Sequence, residues 1–202
     1  MSNSGLKSSG SSPQSIGIFG GTFDPVHNGH VMVARTALEE LALDRLLIVP
    51  AAQSPFKPGE TPAPAAARVE LLRLAFGDLP GCELDLLEVE REGVSYSIDT
   101  VLAVVKRFPE AQLFYLIGAD HAATLPQWRE AAALAELAAF VVVPRPGEAV
   151  PGVPEPFRGQ VLAGQPTDIS ARTLRAKLAA GEPIEDWVPP AVAEALKTMH
   201  LY

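Results

Sequence analysis

The chain has 202 residues, 48% hydrophobic and 20% charged, the balance of one globular domain with a real core rather than of a disordered segment. A net charge of −8 disfavours a general binder of nucleic acid or acidic lipid, so an anionic ligand should be small and met by locally gathered cations. Cys82 is the one cysteine, which excludes an intramolecular disulfide, fits a reducing cytoplasm and reads as a small buried hydrophobe.

Residues 1–15 are polar and rich in Ser and Gly, without the apolar stretch of a signal peptide, and are expected to form a flexible tail ahead of a single domain over 16–202. No apolar run has the length of a membrane span, and a cytoplasmic location is expected. Ile16–Phe19 reads as a first strand. Gly29–Ala42 follows as a helix with Val31, Ala34, Leu38 and Leu41 on one face. Leu46–Val49 is a second strand stopped by Pro50, and Pro55, Pro58, Pro62 and Pro64 break the loop after it. Arg68–Phe76 returns to helical spacing through Val69, Leu72 and Phe76, and Cys82–Leu87 is a third strand.

Ser97–Phe108 is predicted as a helix capped by Ser97, burying Ile98, Val101, Leu102 and Val105. Leu113–Ile117 is continuously apolar, as a strand covered on both faces should be. Ala131–Leu137 is helical, Phe140–Val143 is a fifth strand, and Pro144–Phe157 is a surface loop. Gln160–Leu162 is a short sixth strand, Ser170–Ala180 a helix closed by Gly181, and a last helix after Pro189 and Pro190 buries Val192, Leu196 and Met199. This alternation predicts a Rossmann-like, doubly wound α/β fold: an open, mostly parallel sheet with helices on both faces. Ligands should then lie beyond the carboxyl ends of the strands, in the loops after Phe19, Val49, Ile117 and Val143.

The first of these loops carries the chemistry. Gly17–His30 is neither a dinucleotide GxGxxG fingerprint nor a P-loop, since no GK[ST] ends it. Gly20 and Gly21 let a phosphate approach backbone N–H groups, Asp24-Pro25 suits a tight turn, and Asn28 is a candidate N-cap. His27 and His30 are three residues apart and share one side of a helix's first turn, beside its free N–H groups and positive dipole end. A metal site would need a third ligand from His121, His200 or carboxylates. The glycines and the strand-to-helix context favour phosphate binding instead, with no protein-built metal site.

GGTFDPVHNGH (Gly20–His30) resembles the HxGH motif of the nucleotidyltransferase superfamily, in the form found in bacterial nicotinate-nucleotide adenylyltransferases. Ser95–Thr100 resembles that family's SYTIDT, Gly118–Asp120 with Leu125–Trp128 its GAD…LPxW stretch, and Val143–Gly147 its RPG turn. Ile169-Ser170 and Arg175 match the ends of its ISSTxIR motif, and Val188-Pro189-Pro190 resembles the opening of its last helix. The resemblance implies transfer of AMP from ATP to nicotinate mononucleotide, giving deamido-NAD and pyrophosphate in NAD biosynthesis, with Mg²⁺ held mainly by substrate phosphates. It implies that His27 and His30 bind the ATP phosphates and that Gly20, Gly21 and Thr22 line the nucleotide site. Ser170 and Arg175 would hold the triphosphate from across the cleft, so that His27, His30 and Arg175 carry catalysis. Lys57 would reach the mononucleotide phosphate, and Thr100, Asp120 and Trp128 would shape the nicotinate end.

Two departures stand out: Phe56 where the family commonly has histidine, and Ala171-Arg172-Thr173 in place of Ser-Thr-x. Rival readings are a sibling enzyme acting on nicotinamide mononucleotide or phosphopantetheine, or a non-catalytic nucleotide sensor. His27 weighs against the pantetheine branch, which carries threonine there. Homo-oligomerisation is left open.

Overall fold

The computed structural model describes residues 13–56, 61–145, 152–164 and 168–202. Six parallel strands form one sheet: β1 (Ser15–Gly21), β2 (Arg45–Pro50), β3 (Cys82–Leu84), β4 (Gln112–Gly118), β5 (Ala139–Val143) and β6 (Gly159–Val161), in the order β3-β2-β1-β4-β5-β6. The order reverses between β1 and β4, the place where a doubly wound sheet opens a crevice beyond its strand ends. The helices are α1 (Asn28–Glu40), α2 (Ala65–Phe76), α3 (Leu87–Arg91), α4 (Ser97–Arg107), α5 (Ala119–Ala122), α6 (Ala131–Leu137), α7 (Ala171–Ala179) and α8 (Pro190–Met199), with a 3₁₀ turn at Leu125–Gln127.

Strand residues alternate between two cores, as the period of two demands. Ile18, Leu47 and Val49 pack with Ile98, Val101 and Val104 of α4 and Leu134 of α6. Leu46, Ile48 and Val141 pack on the opposite face with Ala34 and Ala37 of α1, Leu71 and Leu72 of α2, and Val192 and Leu196 of α8. The expected doubly covered sheet is therefore present.

Local differences have local causes. Leu102 is 47% exposed, not buried, because the sheet takes the Ile98–Val101–Val104 stripe and Val104 fills the place expected of its neighbour. The third strand ends at Leu84, and Leu87 begins α3 instead of continuing it. Asn28 is not the cap of α1. His27 holds the extended cap conformation (φ −146°, ψ 171°), and Asn28 sits inside the first turn, where its N–H and side-chain Nδ2 donate to the carbonyls of Trp187 and Asp186. Tyr96, not Ser97, is the capping residue of α4, and Ser97 Oγ lies 3.0 Å from the Tyr115 hydroxyl. Ser170 caps α7 as expected, accepting from the N–H of Thr173 at 3.1 Å. Met199 is only partly buried.

Candidate active site

The loop from β1 to α1 sits at the switch in strand order. A Cβ on Gly20 would stand 3.3 Å from the Tyr115 hydroxyl and one on Gly21 3.0 Å from the Phe23 ring, so packing as well as phosphate access asks for glycine there. Phe23 adopts a left-handed backbone (φ +49°), a conformation costing a residue with a Cβ about 1–2 kcal/mol. Burial holds it, with its ring edge-on to Phe19 and His30 at centroid distances of 5.4 and 4.9 Å.

His27 and His30 stack with ring centroids 3.7 Å apart and planes 27° from parallel. His30 Nδ1 accepts the backbone N–H of His27 at 3.2 Å, so the neutral ring carries its proton on Nε2, where it can donate. Burial lowers the His27 pKa to about 4, and burial followed by its proximity to His27 pushes His30 well below the usual histidine range. Two cationic rings at this spacing would repel; the pair is neutral at pH 7 and offers hydrogen bonds rather than full charges. His27 Nδ1 is buried without a partner, the only such side-chain atom among the described residues.

The cation comes from α7. Arg175 Nη1 donates to the backbone carbonyl of Asp24 at 2.6 Å and lies 3.7 Å from the Asp24 carboxylate. Asp24 Oδ1 accepts from the N–H of Ala63 and from the hydroxyl of Tyr202. Arg68, 1% exposed, donates from Nε, Nη1 and Nη2 to the carbonyls of Ala63, Thr22 and Ala51. A polar cavity of about 420 Å³ lies here, lined by Thr22, Asp24, Gln53, Arg175 and Tyr202 among others.

A second, more apolar cavity of about 360 Å³ opens between the loop after β2 and the starts of α4 and α6. Pro55, Phe56, Tyr96, Ser97, His121 and Trp128 line it. The Phe56 ring lies 5.3 Å from Trp128 and 4.6 Å from His121, so the three rings pack together as an aromatic wall of this cavity, the aromatic slot. Arg129, also in its wall, places its guanidinium 4.8 Å from the Tyr96 ring centroid. Trp128 Nε1 donates to Thr124 Oγ1 at 3.3 Å, which fixes the ring's tilt.

Residues 18–177 match the Cytidylyltransferase-like family. The chain is 40% identical over 194 residues to the probable nicotinate-nucleotide adenylyltransferase of Gemmatimonas aurantiaca, covering 93% of this chain and 92% of that protein. It is 38% identical over 188 residues to the nicotinate-nucleotide adenylyltransferase of Bacillus subtilis, covering 93% and 97%. The chain belongs to the nicotinate-nucleotide adenylyltransferase family. Its fold is shared with the nicotinic acid mononucleotide adenylyltransferase of Plasmodium falciparum solved with NaAD, at a TM-score of 0.79 and 19% identity over 94% of this chain and 97% of that one.

With the family pattern laid over the fold, His27, His30, Thr22 and Arg175 gather around the β1 loop, and Trp128 stands in the aromatic slot. Ser170 caps α7 and is exposed, as is Arg172. Asp120, at the carboxyl end of β4, is paired with Arg145 at 3.1 Å and is absent from the slot's wall. Thr100 is fully buried with its hydroxyl given to Glu88, so it stands behind the slot rather than at its surface. Lys57 lies outside the described residues. Phe56, which departs from the family's histidine, supplies a wall of the slot. Sequence reasoning missed Arg68, Glu88 and Tyr202, and it assigned Asp24 only to a turn. Among the described residues, no three His, Cys, Asp or Glu side chains gather as a metal site, and no helix is long and apolar enough to cross a membrane.

Proposed function

We propose that the chain transfers the AMP moiety of ATP to nicotinate mononucleotide, with the β1 loop, α1 and Arg175 holding the triphosphate and the aromatic slot holding the pyridine ring. The observation that carries this is the neutral His27–His30 stack at the N-terminus of α1, with Arg175 of α7 bonded to the Asp24 carbonyl in the loop that leads into it. Neutral histidine donors, backbone N–H groups and one guanidinium suit the oxygens of a polyphosphate and do not suit a nucleophile-and-base pair.

A phosphate oxygen of the mononucleotide attacks the α-phosphorus of ATP. The new P–O bond forms as the bond to the β-phosphate oxygen breaks, and the electron pair leaves with pyrophosphate. The attacking oxygen is already ionised, so no side chain needs to take a proton. Catalysis comes from in-line placement and from donors aimed at the charge that grows on the leaving group. His30 Nε2–H is the donor assigned to that charge, with Arg175 as the cation held against the same loop.

Among the described residues no cluster of His, Cys, Asp or Glu gathers to cage Mg²⁺, so the donor set fits the ion as a passenger of the triphosphate. Bound that way, the ion would take phosphate oxygens and water as ligands and neutralise part of the charge.

In the slot, the pyridine would stack against Trp128 and Phe56. Its carboxylate would face the opening turn of α4, where backbone N–H groups prefer an acceptor-only acid over an amide that also donates. Arg129 adds positive charge at the same wall. The testing experiment is pyrophosphate release from ATP with nicotinate mononucleotide, nicotinamide mononucleotide or phosphopantetheine as acceptor. The acid is expected to turn over fastest, and a clear preference for either of the others would overturn the acceptor assignment.

A further inference from the structure

The two walls of the aromatic slot come from segments far apart in the chain. Pro55 and Phe56 follow β2, whereas Tyr96 and Ser97 open α4. Ser95 joins them. Its N–H donates to the carbonyl of Gln53 at 2.9 Å, and its Oγ accepts the N–H of Ala52 at 3.1 Å. Gln53 and Val94 also form an isolated parallel bridge.

The Ser95 side chain also faces Glu88 of α3, a residue 4% exposed. The Thr100 hydroxyl donates to Oε1 of the same carboxylate from α4. An ionised carboxylate only accepts, which matches the hydroxyl that Thr100 donates. Burial raises the Glu88 pKa, while the hydroxyls and nearby Arg91 favour the charged form and Asp85 opposes it. A carboxylate kept in so dry a place needs a compensating role, and the described reaction gives it none.

We propose that Glu88 is a positioning residue for the acceptor: by accepting from Thr100 of α4 while facing Ser95, which clasps Ala52 and Gln53, it sets the gap between the loop after β2 and the first turn of α4, into which the pyridine ring fits. Thr100 then matters through Glu88 and not by touching substrate. The inference rests on the assignment of the slot to nicotinate mononucleotide.

The test is calorimetric titration of the full chain with nicotinate mononucleotide alone and with ATP alone. The variants are Glu88→Gln, Ser95→Ala and the double variant. Glu88→Gln and Ser95→Ala are each expected to weaken mononucleotide binding about fivefold, the worth of one hydrogen bond, and to leave ATP binding within about twofold. The double variant should be little worse than Ser95→Ala, because both act on the same clasp between the loop after β2 and α4. Equal weakening of both ligands, additive losses, or an unchanged mononucleotide affinity would each overturn the proposal. Should Glu88→Gln fail to fold, Glu88→Asp and Ser95→Ala carry the same comparison. A wild-type chain that binds no nicotinate mononucleotide would sink the acceptor assignment instead, a result separate from these.

Discussion

The phosphate end and the aromatic slot are built on opposite plans. The first comes mostly from one contiguous stretch, Gly17–His30, whose strand, turn and helix start place two histidines without help from distant sequence. The second is assembled from residues 55–56, 96–97 and 121–134, which meet only because the sheet order and the Ser95 clasp bring them together. On the proposed assignment, the chemistry common to adenylyl transfer is encoded locally, whereas choice of acceptor is encoded by assembly. A substitution at the first should strike rate, and one at the second should strike acceptor affinity.

The largest expected effect tests the first half of that contrast. His30→Ala should lower kcat by about 10²–10³-fold while ATP affinity changes little, since its donor is assigned to charge that develops late. Steady-state kinetics beside ATP titration would check this, and an unchanged kcat would remove His30 from that role.

A comparable effect appears in stability. His27 is neutral in the folded chain, with its pKa lowered from 6.5 to about 4. Between those values the unfolded chain binds a proton that the folded chain refuses, so stability falls as pH drops through that window. The loss from His27 alone is on the order of 3 kcal/mol by pH 4, and His30 adds in the same direction. Denaturant unfolding from pH 7 to 4 should show the slope, and His27→Gln should flatten it. An equal slope in the variant would mean that other groups carry it.

The smallest of the three sharpens the second half. Trp128→Ala should raise the KM for nicotinate mononucleotide about tenfold, from lost stacking, with kcat and the KM for ATP nearly constant. A matching rise for ATP would show that the two regions are not separable.

The same contrast explains what could be read from residues alone. The alternating strands and helices, the first loop and its histidines were legible because each follows a local period or a contiguous motif. Arg68 was not, since an arginine in a helical run reads as a solvated face; only the fold shows it surrounded by the carbonyls of Thr22, Ala51 and Ala63. Glu88 was hidden in the same way, in a segment where Leu87 continued the apolar pattern of the preceding strand. The misplacement of Leu102 has a related cause: α4 carries apolar residues around more of its circumference than the sheet can cover. His27 was read as a phosphate ligand but not as a helix cap, because Asn28 is the better capping residue by type and its side chain is drawn away to Asp186.

Arg68 has a consequence for how substrate arrives. One buried side chain ties three loop carbonyls around the nucleotide end, so the conformational entropy of those loops is lost when the chain folds and not when ATP binds. Under the proposed site assignment, ATP would meet a wall already set at the carbonyls of Thr22, Ala51 and Ala63, and less of its binding free energy would go to ordering that wall.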